Sequence, residues 1–184
     1  MKKIAIIAAA LVSFSVAANA QNASSSATQT VNLNLSNAIE ITFTGSGSAT
    51  GAAVNLAFNT VNDYANGVES GAQELKVRSN KKFGVTVKTN ATNFSYSGAT
   101  SPAPVMPVAN ILNLMVSSNT TGGTIASGFS ASAYNTLGAT AQNLLSNCNN
   151  GGDQKFAVKY KATPGFAYPA GTYTVDVVYT ATQL

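Results

Sequence analysis

Histidine and tryptophan are absent from this chain, and cysteine occurs once, at Cys148. Without histidine there is no Ser-His-Asp triad, no imidazole metal ligand and none of the commonest acid–base catalyst. Cys148 likewise has no imidazole to activate it as a nucleophile. A lone cysteine forms no intramolecular disulfide, so the core alone must hold the fold. Charge is scarce too. Asp, Glu, Lys and Arg make up 9% of the 184 residues, against about 25% in ordinary soluble domains. The acids Glu40, Asp63, Glu69, Glu74, Asp153 and Asp176 fall in no calcium-loop spacing. Gly45-Ser46-Gly47 reads as a turn, because no strand-to-helix phosphate loop surrounds it. These absences argue against an enzyme: no catalytic residue, metal ligand or cofactor is expected.

The N-terminus points outward. Lys2 and Lys3 precede an apolar run from Ile4 to Val16, interrupted by Ser13 and Ser15, and Ala18-Asn19-Ala20 follows with small-x-small cleavage spacing. Residues 1–20 are therefore expected to be a secretory signal, leaving a chain that begins at Gln21 and works in a secreted or cell-surface setting after periplasmic transit. Losing Lys2 and Lys3 leaves eight basic residues against six acids, a charge of +2. So small an excess gives no reason to expect a nucleic-acid partner. Beyond the signal no apolar run approaches the roughly 18–20 residues of a membrane span. The remaining 164 residues suit one domain that buries about 70% of its unfolded surface. A polar, flexible segment is expected over 21–29 and the domain over 30–184.

What is present is a period of two. Val31, Leu33, Leu35, Ile39, Ile41 and Phe43 alternate with polar or small residues, with Asn37 out of phase. One strand of that length would span about 43 Å, so two strands divided at Ser36-Asn37 are expected. Ala53–Phe58 is a third candidate. Glu74–Ser79 and Phe83–Thr89 are expected to form a hairpin around Ser79-Asn80-Lys81-Lys82. Further strands are expected over Ile111–Val116, around Phe156, Val158 and Tyr160, and over Tyr173–Tyr179; Thr136–Leu145 reads equally as helix or strand. Turn-rich Gly, Asn and Ser clusters separate these runs. Six to eight short strands without intervening helices indicate an all-β protein, a single antiparallel sandwich.

Two segments carry a resemblance. Pro169-Ala170-Gly171-Thr172-Tyr173 leading into Thr174–Thr180 is similar to the final strand of bacterial fimbrial subunits and spore-coat-U-like secreted proteins. Leu75–Val87, strand, Ser-Asn, aromatic, strand, resembles a pattern of bacterial extracellular sandwich domains. Many fimbrial and coat-U-like subunits carry a cysteine pair; this chain has one cysteine. The resemblance implies an immunoglobulin-like sandwich in a structural or adhesive surface protein, with self-association or related surface subunits as partners.

Two groups of residues are candidate sites. Val31, Leu33 and Leu35 on one face of 30–36 have the form of a donor strand for a neighbour's open sheet edge; the same residues also suit the domain's own first strand. Lys76, Arg78, Lys81, Lys82 and Lys88 include five of the eight basic residues of the cleaved chain. On a hairpin, Lys76, Arg78 and Lys88 would share the outer face, with Lys81 and Lys82 at the tip. That patch suits an anionic polysaccharide or envelope polymer, or a charged guard against edge pairing. Tyr64, Tyr96, Tyr134, Phe166 and Tyr168 lie in turn-like segments, where aromatics either stack on sugars or cap a sandwich. Cys148, in Asn147-Cys148-Asn149-Asn150-Gly151-Gly152, reads as a loop residue, available for intermolecular pairing or packed as a small hydrophobe. The functional classes left open are a fimbria-like subunit assembling by strand addition and a monomeric secreted binding module for glycans.

Overall fold

A computed structural model describes residues 23–130 and 132–184. The expected signal over 1–20, and Gln21 and Asn22, lie outside the described residues. Residues 23–35 carry no helix or strand, and Val31, Leu33 and Leu35 are 75%, 81% and 89% exposed. The strand expected over 30–36 is thus not formed. The chain divides at Leu35 into two units, and every helix and strand described below belongs to the second, Ser36–Leu184.

That unit is all-β and antiparallel, as the alternation requires. In chain order it contains β1 (Ile39–Phe43), α1 (Val61–Asn66), β2 (Val68–Glu69), β3 (Gln73–Ser79), β4 (Phe83–Thr89), β5 (Ser95–Ser97) and β6 (Leu112–Asn119). β7 (Thr124–Ile125), β8 (Asn135–Thr136), β9 (Gln142–Cys148), β10 (Gly151–Ala162), β11 (Thr172–Thr174) and β12 (Val177–Gln183) follow. One sheet runs β1-β3-β10-β6-β8, with β2 pairing the end of β10; the other runs β12-β4-β9-β7; β11 and β5 form a separate ribbon. Leu75 and Val77 of β3, Val85 and Val87 of β4, Leu114 and Val116 of β6, Leu144 and Leu145 of β9, and Phe156 and Val158 of β10 form the sealed core between the two sheets.

The expected 74–89 hairpin is instead an arch. β3 pairs with β1 and β10, whereas β4 pairs with β12 and β9. Residues 80–82 carry the chain from one sheet to the other. The Ser79 hydroxyl closes this turn, donating to Lys81 O at 2.7 Å and accepting from Lys81 N at 3.2 Å. Alternation fixes which face of a strand is apolar but not which strand it pairs with, so hairpin and arch share one pattern. The segment also lacks the Asn-Gly or Asp-Gly that a tight hairpin turn needs.

Three further elements differ from expectation. Ala53–Phe58 is not a strand, and no backbone hydrogen bond involves 52–58 among the described residues. The run from Tyr173 to Tyr179 is split into β11 and β12 at Val175-Asp176, where Asp176 leaves the ladder for Asn90. There Asn90 Nδ2 donates to Asp176 Oδ2 at 2.8 Å and Asp176 N donates to Asn90 Oδ1 at 3.1 Å. The helix α1 was not anticipated. Its signal is the Thr60–Asp63 capping box, in which Asp63 Oδ2 accepts from Thr60 N at 2.7 Å and from Asn59 N at 2.8 Å. These backbone donors hold the Asp63 carboxyl below its usual value. In the ambiguous stretch 136–145, Thr136 ends β8 and 142–145 begin β9, while 137–141 form a connection that is neither helix nor strand.

Candidate functional site

β1 and β12 are the outer strands of their sheets and lie on the same side of the sandwich, with the Phe43 and Tyr179 rings meeting edge-on at 6.1 Å. Their inward residues differ from those of the inner strands. Leu75 and Val77 on β3 are 1% and 0% exposed, but Ile41 and Phe43 on β1 and Val177, Tyr179 and Ala181 on β12 are only half-buried. Where 41–43 of β1 and 177–179 of β12 end this row, a groove of about 1060 Å³ opens, lined for the most part by 49–58 and 164–176, at the upper limit of ordinary small-ligand pockets.

The groove is apolar and almost uncharged. Its floor includes Leu75, Leu112 and Tyr160; past the end of β1 its walls become residues 49–58 and 172–176. Asp176 is the one lining residue with a formal charge at neutral pH. Gly51 lies so close to the Phe43 ring that a Cβ there would meet it at 3.1 Å. Val54, Leu56 and Phe58, two residues apart, continue the wall, and Leu56 packs on the core.

One end of the groove is built from specific contacts. There Phe58 packs on Tyr64 (5.4 Å between centroids), Tyr64 stacks on Phe166 (5.6 Å) and Tyr96 leans on Tyr173 (5.0 Å). Tyr96 Oη donates to Ala170 O at 3.0 Å and Tyr173 Oη to Pro169 O at 2.9 Å, which orders the loop before β11. Four of the aromatics singled out in the sequence therefore gather here, two of them, Phe166 and Tyr168, in a loop as expected, but Tyr64 on α1 and Tyr96 on β5. The fifth, Tyr134, lies under the Lys161 ammonium (5.8 Å to the ring centroid). Outside the groove, at the start of β1, Gln183 Nε2 lies 2.9 Å from Ala38 O and 3.0 Å from Ser79 Oγ, tying β12 to the sheet of β1.

An extended peptide fits such a site chemically. β1 and β12 each use one edge for their ladder; along the other edge β12, and β1 up to Ile41, carry backbone groups with no ladder partner among the described residues, whereas Phe43 N donates to Ser48 O and Phe43 O accepts from Gly47 N, both at 2.8 Å. A guest strand could bond to either edge while its alternate side chains fill the groove. The exposed triplet Val31, Leu33 and Leu35 has that spacing, and 23–37 contains no charged residue.

The arch separates the basic candidates. Lys76 and Arg78 project from the outer face of the β1-β3-β10 sheet, Lys88 projects from the outer face of the opposite sheet, and Lys81 and Lys82 sit at the arch tip. The expected single basic face is therefore absent. Lys155, Lys159 and Lys161 of β10 instead join Lys76 and Arg78 on one face, which sequence order hid. Acids answer much of that charge: Arg78 pairs with Glu40 at 2.6 Å, Lys155 with Asp153 at 3.4 Å and Lys161 with Glu69 at 3.3 Å. Cys148 is not a loop residue. It ends β9, fully buried, 3.1 Å from Thr121 Oγ1, and burial pushes its thiol up.

No protein-family model and no curated protein matches this chain. Among solved structures, the fold is similar to a chain from the structure of a chaperone–usher pilus, at 9% identity and a TM-score of 0.37, covering 87% of this chain and 96% of that one. Among the described residues no helix is long and apolar enough to cross a membrane.

Proposed function

We propose that this protein is an exported, non-catalytic surface subunit, structural or adhesive, that assembles with copies of itself by strand addition. Residues 30–36 of one copy enter the groove of another between β1 and β12, and Val31, Leu33 and Leu35 fill it. The observation that carries this reading is the row of inward apolar residues, left half-exposed by the domain, on two edge strands that each have a ladder neighbour on one side only. The groove offers apolar positions to an occupant, and the chain carries an exposed, uncharged segment with matching period. Burying each of the three side chains contributes about 1.5–3 kcal/mol, whereas each main-chain bond adds about 0.5–1.5 kcal/mol. Side-chain fit therefore dominates the affinity.

The test is a comparison of unboiled and boiled cell-surface fractions on a denaturing gel, for the wild type and for Leu33→Asp. Strand addition gives the wild type a ladder that collapses to monomer on boiling, and Leu33→Asp removes the ladder. A single monomer band in both wild-type lanes overturns the proposal in favour of a monomeric binding module.

A further inference from the structure

Strand addition between copies has a competitor inside every molecule. The donor segment is tethered to a domain whose groove it matches, and a short tether gives an effective concentration on the order of mM. Copies at micromolar concentration would lose to self-insertion by roughly a thousandfold. Only residues 36–38 separate Leu35 from Ile39, the first residue of β1, and a hairpin connection needs only about two to five residues. A reversal at 36–38 would lay 30–35 along β1 and cap the groove from within.

Side-chain amides hold those three residues in line with β1. Asn80 N donates to Ala38 O at 3.2 Å, extending the β1–β3 ladder one step past the Ile39–Ser79 pair. The Asn80 side chain then imitates the next step: Nδ2 donates to Ser36 O at 2.8 Å and Oδ1 accepts from Ala38 N at 3.0 Å. From the opposite sheet, Gln183 Nε2 reaches Ala38 O at 2.9 Å and Asn80 Oδ1 at 3.0 Å. Ser36 cannot turn back without giving up its bond to Asn80.

We propose that the Asn80–Gln183 clasp blocks self-insertion and so commits the donor segment to a second copy. The proposal rests on the strand-addition reading and assigns Asn80 and Gln183 as positioning residues, acting through the path of 36–38 rather than by touching the guest strand.

The test uses full-length protein in four forms: wild type, Asn80→Ala, Gln183→Ala, and a chain with about six Gly and Ser residues inserted between Leu35 and Ser36. The insertion supplies slack on the order of 13 Å and leaves every clasp bond in place, so it separates tether length from folding. Two quantities are read: the polymer-to-monomer ratio on unboiled gels, and uptake by the monomer fraction of a fluorescein-labelled peptide with the sequence of residues 28–37. The expected result is a fall in the ratio of about tenfold or more for Asn80→Ala and for the insertion, a smaller fall for Gln183→Ala, and monomers that refuse the peptide because their grooves are filled. Ladders equal to wild type in Asn80→Ala and the insertion chain overturn the clasp and leave strand addition standing. Monomers that take up the peptide freely also overturn it, since their grooves are empty. A wild type with neither ladder nor peptide uptake overturns strand addition and the clasp together.

Discussion

The hydroxyls of Tyr160 and Tyr179 lie 2.7 Å apart and join the two sheets at the floor of the groove. Tyr160 comes from β10 and Tyr179 from the edge strand β12, so this bond links the edge strand to the facing sheet. Each hydroxyl is the other's partner among the described residues. Removing one strands the other in an apolar site, at a cost of about 1–3 kcal/mol, whereas removing both leaves nothing unsatisfied. Tyr179→Phe is therefore expected to lower unfolding free energy by about that amount, and Tyr160→Phe/Tyr179→Phe by less than the sum of the single changes. Denaturant unfolding of the four proteins of the cycle checks this; strictly additive losses would show that the pair is not coupled.

The same pair predicts alkaline sensitivity. Burial pushes both phenols above the ordinary value of 10.0, with the neighbouring Tyr160 raising Tyr179 further. Burial first, and then Glu69, push Tyr134 up to about 12. The folded state holds these phenolic protons more tightly than the unfolded chain. Their contribution to stability is complete below about pH 10 and is lost as pH rises through the folded-state values. Tyrosinate absorbance and circular dichroism, followed together from pH 9 upward, should show a class of tyrosines that ionise late and only as the fold opens. Full ionisation near the ordinary value with the fold intact would contradict the burial.

Much of the fold is legible in the sequence because its period of two is strong. Phe156, Val158 and Tyr160 alternate with Lys155, Lys159 and Lys161, and that alone places β10 and its two faces. What alternation does not encode is pairing. Glu74–Ser79 and Phe83–Thr89 present the same pattern whether they bond to each other or sit in facing sheets, and that single ambiguity turned one basic face into two. The groove was hidden for a related reason. Ile41 and Tyr179 read as ordinary core residues, and only the sheet order shows that they belong to outer strands. The triplet Val31, Leu33 and Leu35 was visible as a candidate strand, but its exposure was not, because exposure depends on what lies opposite.

Cys148 is expected to play no part in assembly. Its sulfur is sealed beside Thr121, and burial favours the unreactive thiol over the thiolate. Polymer ladders should be identical with and without reductant. A maleimide should label the native protein only at the rate at which it unfolds, and label it fully in denaturant. A ladder that reductant alone abolishes would place a disulfide in the assembly.

Occupancy of the groove should stabilise the domain, and the stabilisation should depend on phase. The Leu33→Asp chain keeps β1, β12 and the groove walls unaltered while spoiling its own donor segment, so it offers an empty acceptor in the full-length protein. A synthetic peptide with the sequence of residues 28–37 binds the folded state and not the unfolded one. At a hundred times its dissociation constant it should add about 2.7 kcal/mol, read as a rise in the unfolding midpoint. A second peptide of the same composition, with Val31, Leu33 and Leu35 each moved by alternate one-residue steps so that they no longer share a face, has the same hydrophobicity and charge. In an extended strand successive side chains point to opposite sides, so this peptide can insert only part of its apolar set. It should stabilise little or not at all. Equal stabilisation by both peptides would mean that the groove binds apolar material without regard to strand geometry, and strand addition would lose its physical basis.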